Sequence, residues 1–91
     1  FVYLFAKAMA DYAADCGIDR DQAMRLICAT LEGSAAMLRE SGDSPDTLIE
    51  KVSSKGGTTI AALEKLREHG FYEAVQDGMA ACTKRAGELA R

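Results

Sequence analysis

The chain has 91 residues, of which 48% are hydrophobic, and its 14 acidic and 11 basic side chains give a net charge of −3. These charges are spread along the chain and leave no basic stripe that could follow a phosphate backbone, so nucleic acid is not expected as a partner. The abundance of Ala, Leu, Met and Ile, with a single Pro, predicts one small all-helical domain.

The first predicted helix covers residues 1–16 and is apolar around most of its circumference. Its polar side chains Lys7, Asp11 and Asp15 are spaced four apart and form one narrow stripe. A helix of this kind must be covered on several sides, and four more short helices are barely enough to do so. We therefore expect something beyond the chain's own helices to cover part of it.

The second predicted helix begins after Gly17, where Asp19 and Gln22 have the spacing of a capping box, and it ends near Glu40. Gly33 within it predicts a close crossing with another helix. The 3-and-4 spacing of its apolar residues predicts one buried face, formed by Met24, Ile27, Cys28, Leu31, Ala35 and Leu38.

Three shorter segments complete the predicted fold. Ser44 and Pro45 predict the cap and first residue of a helix that ends near Val52. Two more helices are expected at about residues 58–69 and 71–90, with Gly70 between them. The fold class is therefore all-α, a short bundle of about five helices. The last helix has one apolar face, formed by Phe71, Val75, Met79, Cys82, Ala86 and Leu89.

Cysteine and histidine usage argues against a metal centre. Cys16, Cys28 and Cys82 lack CxxC spacing and lie among apolar helical neighbours, so we expect buried, reduced thiols. His69 is the only histidine, and its place before Gly70 predicts a helix C-cap. The longest apolar stretch, residues 1–6, is far shorter than the roughly 20 residues of a membrane span, so we expect a cytoplasmic protein without a membrane partner.

The segment Ser-Ser-Lys-Gly-Gly-Thr-Thr, residues 53–59, is the most chemically specific feature. Two glycines before a helix start let a ligand approach the backbone, and the helix amides favour a carboxylate or phosphate. Hydroxyls at Ser53, Ser54, Thr58 and Thr59 add donors. The segment fits neither a P-loop nor a GxGxxG pattern. From the residues alone, a plain turn with Thr58 or Thr59 as helix cap remains the favoured alternative.

The stretch VSSKGGTTIAAL at residues 52–63, followed by Gly70 and Phe71, resembles the signature of the pyrroline-5-carboxylate reductases. The opening FVYLF, and the later AMAD and GIDR, are similar to that family's C-terminal domain. The resemblance therefore covers essentially the whole chain. It implies that residues 1–91 form a dimerisation and substrate-orienting domain, interleaved as a homodimer, in an enzyme whose N-terminal dinucleotide-binding domain is absent from this chain. Larger assemblies of dimers are also known in the family.

The resemblance implies an activity for the full-length enzyme, the reduction of 1-pyrroline-5-carboxylate to L-proline by NADPH or NADH in proline biosynthesis. Ser54, Gly56, Gly57, Thr58 and Thr59 are implied to hold the carboxylate of the substrate or of proline. The Thr59 hydroxyl is implied to lie near the ring nitrogen and is the catalytic candidate. No cofactor is expected on this domain alone, and we expect the isolated chain to be inactive.

Two alternatives stay open. The family usually has Pro at the position of Lys55, and this lysine either attracts the carboxylate or, as we favour, points into solvent. The competing function is a stand-alone helical oligomerisation module whose Gly-Gly segment is only a connector. Such a module would associate without ligand specificity.

Overall fold

Five helices joined by short turns form the chain in a computed structural model that describes residues 1–54 and 56–90. No strand occurs within these ranges, and the predicted all-α class is confirmed. The helices form two compact units, residues 1–48 and 49–91. Their bounds are α1 (Val2–Asp15), α2 (Arg20–Glu40), α3 (Pro45–Ser53), α4 (Gly57–Glu68) and α5 (Phe71–Leu89).

Local capping interactions set the helix ends close to where they were predicted. The Asp19 carboxylate accepts a hydrogen bond from the Gln22 backbone N–H at 3.1 Å and caps α2. At the start of α3, the Ser44 hydroxyl oxygen accepts one from the Thr47 N–H at 3.2 Å. Each cap gives a partner to a first-turn amide that the helix itself leaves unpaired.

The end of α4 follows the predicted glycine stop. His69 is the C-cap residue, and its N–H donates to the Lys65 carbonyl at 3.1 Å. Gly70 follows with φ at 71°, in the left-handed region that residues with a Cβ rarely adopt. The chain turns there and α5 begins at the next residue, so His69 lies at the helix end where it was predicted, while its interaction with the helix dipole stays a prediction.

In the first unit, α1 packs against α2 around three small or branched side chains. Ala10, Ala23 and Ile27 are the buried residues, and Leu31 is half-buried. Positions 23, 27 and 31 are four apart and form one ridge of α2. The predicted buried face of α2 is therefore only partly right. Because α1 covers only this ridge, the other members of the predicted face are exposed, namely Met24, Cys28, Ala35 and Leu38.

Two further expectations about packing are wrong within this chain. A Cβ built at Gly33 would meet nothing within 4 Å, so no close helix crossing occurs there. Cys16, Cys28 and Cys82 are free thiols, as expected, but all three are exposed rather than buried. Apolar neighbours on the same helix do not bury a side chain unless a second element lies over them.

Large apolar side chains remain exposed on both units. On α1, Tyr3 is 91% exposed and Leu4 is 72% exposed, which confirms that the described helices leave part of this helix uncovered. In the second unit α4 packs against α5, yet Met79 and Leu89 on α5 are exposed. No described residue of α3, α4 or α5 is buried. Among the helices described, none has both the length and the apolar character needed to cross a membrane.

One ion-pair cluster joins α1 to the start of α2. The Asp11 carboxylate accepts hydrogen bonds from Lys7 Nζ at 2.8 Å and from Arg20 Nη1 at 3.0 Å. These two hydrogen bonds hold the pKa of Asp11 below its ordinary value, and the bond from Lys7 has the larger effect. All three groups are well exposed to solvent, so the contribution to stability is small.

The pH dependence of unfolding should report this cluster. A carboxyl group with a lowered folded-state pKa stabilises the fold above its ordinary pKa, and this stability is lost as the pH falls through the lowered value. We expect Asp11→Asn to reduce the melting temperature slightly at pH 7 and to match the wild type once Asp11 is protonated in acid. Circular dichroism melts between pH 7 and pH 2 measure this, with Asp15→Asn on the same stripe as control. A constant difference between Asp11→Asn and wild type at every pH would contradict the prediction.

Candidate functional site

The start of α4 brings together four of the five predicted site residues. Gly56 is the N-cap residue, with φ −126° and ψ 94°. Gly57, Thr58 and Thr59 form the first turn of the helix, and the Ile60 N–H donates to the Gly56 carbonyl at 3.0 Å. The helix therefore begins one residue earlier than predicted. The alternative in which Thr58 or Thr59 is the cap residue is wrong, because both threonines lie inside the helix.

The first-turn amides of α4 are available to a ligand. Gly56 supplies no side-chain cap, and within the described ranges no acceptor is found for the N–H groups of Gly57, Thr58 and Thr59. These groups point out along the helix axis and carry the positive end of its dipole. The first turn also contains no acidic side chain. The arrangement suits a small anion such as a carboxylate.

The serine hydroxyls before the turn have protein partners. Ser53 Oγ donates to the Ile49 carbonyl at 2.7 Å, and Ser54 Oγ donates to the Lys51 carbonyl at 3.0 Å. Both bonds go to backbone carbonyl groups of α3, three or four residues earlier in the chain. A contact between the Ser54 hydroxyl proton and a substrate carboxylate would thus require Ser54 to change its partner. Lys55, which either attracts the carboxylate or points into solvent, lies outside the described residues.

Thr59 is the most enclosed hydroxyl of the α4 start. Its residue is half-buried, whereas Thr58 is exposed. No hydrogen-bond partner of Thr59 Oγ1 is found among the residues described. Its Oγ1 lies 3.2 Å from the place that a Cβ on Gly56 would occupy. A hydroxyl at this position, beside amides that have no acceptor in the described part of the chain, can donate to a ligand that those amides bind.

A backbone carbonyl at the end of α3 also lies next to the site, and the sequence did not indicate it. The Val52 carbonyl oxygen lies 3.4 Å from the place of a Cβ on Gly56, so the last turn of α3 lies beside the N-cap of α4. A backbone carbonyl leaves no mark in residue type, and its position depends on how the turn is folded. No sequence signal could have identified it.

Among the described residues there is neither a cluster of metal-binding side chains nor a βαβ unit. No group of three or more His, Cys, Asp or Glu side chains lies close enough together in this part of the chain to hold a metal ion. Every element in the described part of the chain is a helix, so this part lacks the βαβ turn at which Rossmann-type folds bind a dinucleotide. The chemistry that this arrangement supports is recognition and orientation of an anionic ligand.

The family model and the similar proteins all indicate the same family. Residues 1–89 match the family described as pyrroline-5-carboxylate reductase dimerisation. Pyrroline-5-carboxylate reductase of Escherichia coli (strain K12) is 40% identical over 91 residues, which are 100% of this chain and 34% of that protein. The enzyme of that name from Pisum sativum is 38% identical over 89 residues, 98% of this chain and 33% of the relative. Pyrroline-5-carboxylate reductase 3 of Danio rerio is 39% identical over 89 residues, which are 98% of this chain and 31% of that protein. The chain thus spans about a third of the length of these relatives.

Proposed function

This chain belongs to the pyrroline-5-carboxylate reductase family, and from that premise we propose that it is the helical C-terminal domain of an enzyme that makes L-proline from 1-pyrroline-5-carboxylate. In the whole enzyme, which we place in the cytoplasm, this domain dimerises and orients the substrate. NADPH or NADH is held by a separate N-terminal domain. The family description itself names dimerisation, and the exposed apolar side chains of α1 and α5 are consistent with an interleaved homodimer.

The observation that carries the proposal is that the first amides of α4 have no acceptor among the described residues. The substrate carboxylate accepts hydrogen bonds from the N–H groups of Gly57 and Thr58, with the helix dipole favouring its negative charge. Ser54 adds a hydroxyl contact if it exchanges its bond to the Lys51 carbonyl. Binding the carboxylate in this way fixes the orientation of the five-membered ring.

Thr59 acts on a different group of the substrate in this proposal, the ring nitrogen next to the carbon that carries the carboxylate. Its hydroxyl donates a hydrogen bond to the ring nitrogen of the bound imine. This bond draws electron density from the C=N carbon and makes that carbon more electrophilic. The reduction itself is the chemistry of the nicotinamide cofactor, and the tasks assigned to this chain are binding, orientation and polarisation.

Replacing Gly57 by Pro in the whole enzyme tests the carboxylate site. Proline is well tolerated at the first position of a helix but has no N–H to donate. Gly56 before it is already extended, as a residue preceding proline should be. We expect KM for 1-pyrroline-5-carboxylate to rise about tenfold or more, the effect of one lost hydrogen bond to a charged group. Steady-state kinetics measure the change.

Two controls separate the lost N–H from other effects. Gly57→Ala keeps the N–H and adds one carbon, so it should raise KM less than Gly57→Pro. The substrate analogue 1-pyrroline has no carboxylate, and wild type and Gly57→Pro should reduce it at similar rates. An unchanged KM for 1-pyrroline-5-carboxylate in Gly57→Pro would instead favour the Gly-Gly segment as a simple connector.

A further inference from the structure

We propose that Gly56 is a positioning residue for the Thr59 hydroxyl, an inference that rests on the role proposed above for Thr59. The two residues are three apart in sequence and meet at the N-terminus of α4. A Cβ built on Gly56 would lie 3.2 Å from Thr59 Oγ1 and 3.5 Å from Thr59 Cβ. The first distance is tighter than ordinary contacts of a Cβ atom, so either the added carbon or the hydroxyl has to move.

The need for glycine at this position is one of space, not of backbone conformation. With φ −126° and ψ 94°, Gly56 lies in the extended region open to every L-residue. Gly57 provides the contrast, because a Cβ there would meet nothing within 4 Å. Of the two adjacent glycines, only Gly56 is therefore at a position where an added side chain would contact Thr59.

Thr59 is the softer of the two groups that would meet the added carbon. The other is the Val52 carbonyl oxygen at 3.4 Å, which belongs to the backbone of the last turn of α3. A threonine in a helix divides between two χ1 rotamers, and moving between them displaces Oγ1 without disturbing the helix. A side chain at position 56 therefore forces Thr59 Oγ1 to give way by a few tenths of an ångström. In this proposal Thr59 does so by changing rotamer, which moves Oγ1 away from the substrate nitrogen.

A double-mutant cycle in the whole enzyme tests the inference. We expect Gly56→Ala to lower kcat about tenfold or more, since a misplacement of roughly 1 Å can cost about a hundredfold. KM for 1-pyrroline-5-carboxylate should change much less, because the amides remain. In a Thr59→Ala background, Gly56→Ala should have no further effect on kcat. NMR coupling constants to the Thr59 methyl carbon should report a changed χ1 in Gly56→Ala and an unchanged one in Gly57→Ala.

Each other outcome overturns a specific step. If Gly56→Ala has wild-type kcat, or lowers kcat equally with and without the Thr59 hydroxyl, the positioning role is wrong while the role of Thr59 stands. A Thr59→Ala enzyme with wild-type kcat overturns the proposed role of Thr59 itself, and the inference with it. A Gly56→Ala enzyme that fails to fold, or melts far below wild type, shows that the backbone moved rather than Thr59, and this also overturns the inference.

Discussion

A whole enzyme with Thr59→Val is expected to retain a KM for 1-pyrroline-5-carboxylate close to that of wild type and to turn it over about a hundredfold more slowly. Valine has nearly the shape of threonine and replaces only the hydroxyl by a methyl group. The backbone N–H of residue 59 and its neighbours in the first turn of α4 are unaffected. The loss therefore falls on the hydrogen bond to the substrate nitrogen, a kind of contribution that is typically worth about 10²- to 10⁴-fold.

Thr59→Ser is the matched control for this prediction. Serine keeps the hydroxyl and loses the methyl group, so most of the turnover should be retained. Steady-state kinetics of the two variants, with folding checked by thermal melts, separate the hydroxyl from the shape of the side chain. If Thr59→Val turns over as fast as wild type, Thr59 has no catalytic part and the α4 start does no more than bind the carboxylate.

The 91-residue chain by itself is expected to be a dimer of about 20 kDa, twice its mass of 9.8 kDa. Val2, Tyr3 and Leu4 on α1 are 57%, 91% and 72% exposed, although side chains of this kind gain roughly 1.5 to 3 kcal/mol each from full burial. Interfaces between obligate partners are large and apolar, and a second copy of this chain supplies the same apolar surface. Light scattering across a dilution series measures the mass.

Leu4→Asp should shift this dimer towards monomer. Leu4 is largely exposed within its own chain, so the substitution leaves the packing of α1 on α2 intact, but it places an unpaired charge in a dimer interface. Lys65→Asp is the control, because the Lys65 side chain is also 72% exposed but is polar already. An interface through α1 would be contradicted if the wild-type chain were monomeric at every concentration of the dilution series. It would also be contradicted if the Leu4→Asp dimer were as stable as the wild-type dimer.

Local signals explain why the helices could be predicted. Asp19, Ser44 and Gly70 act on their own neighbours through a cap hydrogen bond or a left-handed turn. Such effects extend over a few residues, so residue type and spacing are enough to place a helix end. The location of the candidate site at the start of α4 could be predicted for the same reason, since Gly-Gly before a helix exposes its first amides.

The sequence by itself determined five helices, their ends and their apolar faces. Only the tertiary structure decided which face is covered, because spacing shows that a side is apolar but not what lies over it. Ile27 is buried against α1 while Cys28, one residue later, is exposed. The approach of the Val52 carbonyl to Gly56 was likewise decided by the tertiary structure, because these residues belong to α3 and to the N-cap of α4. A distance of a few ångströms between atoms of different helices depends on backbone geometry, which residue spacing does not encode.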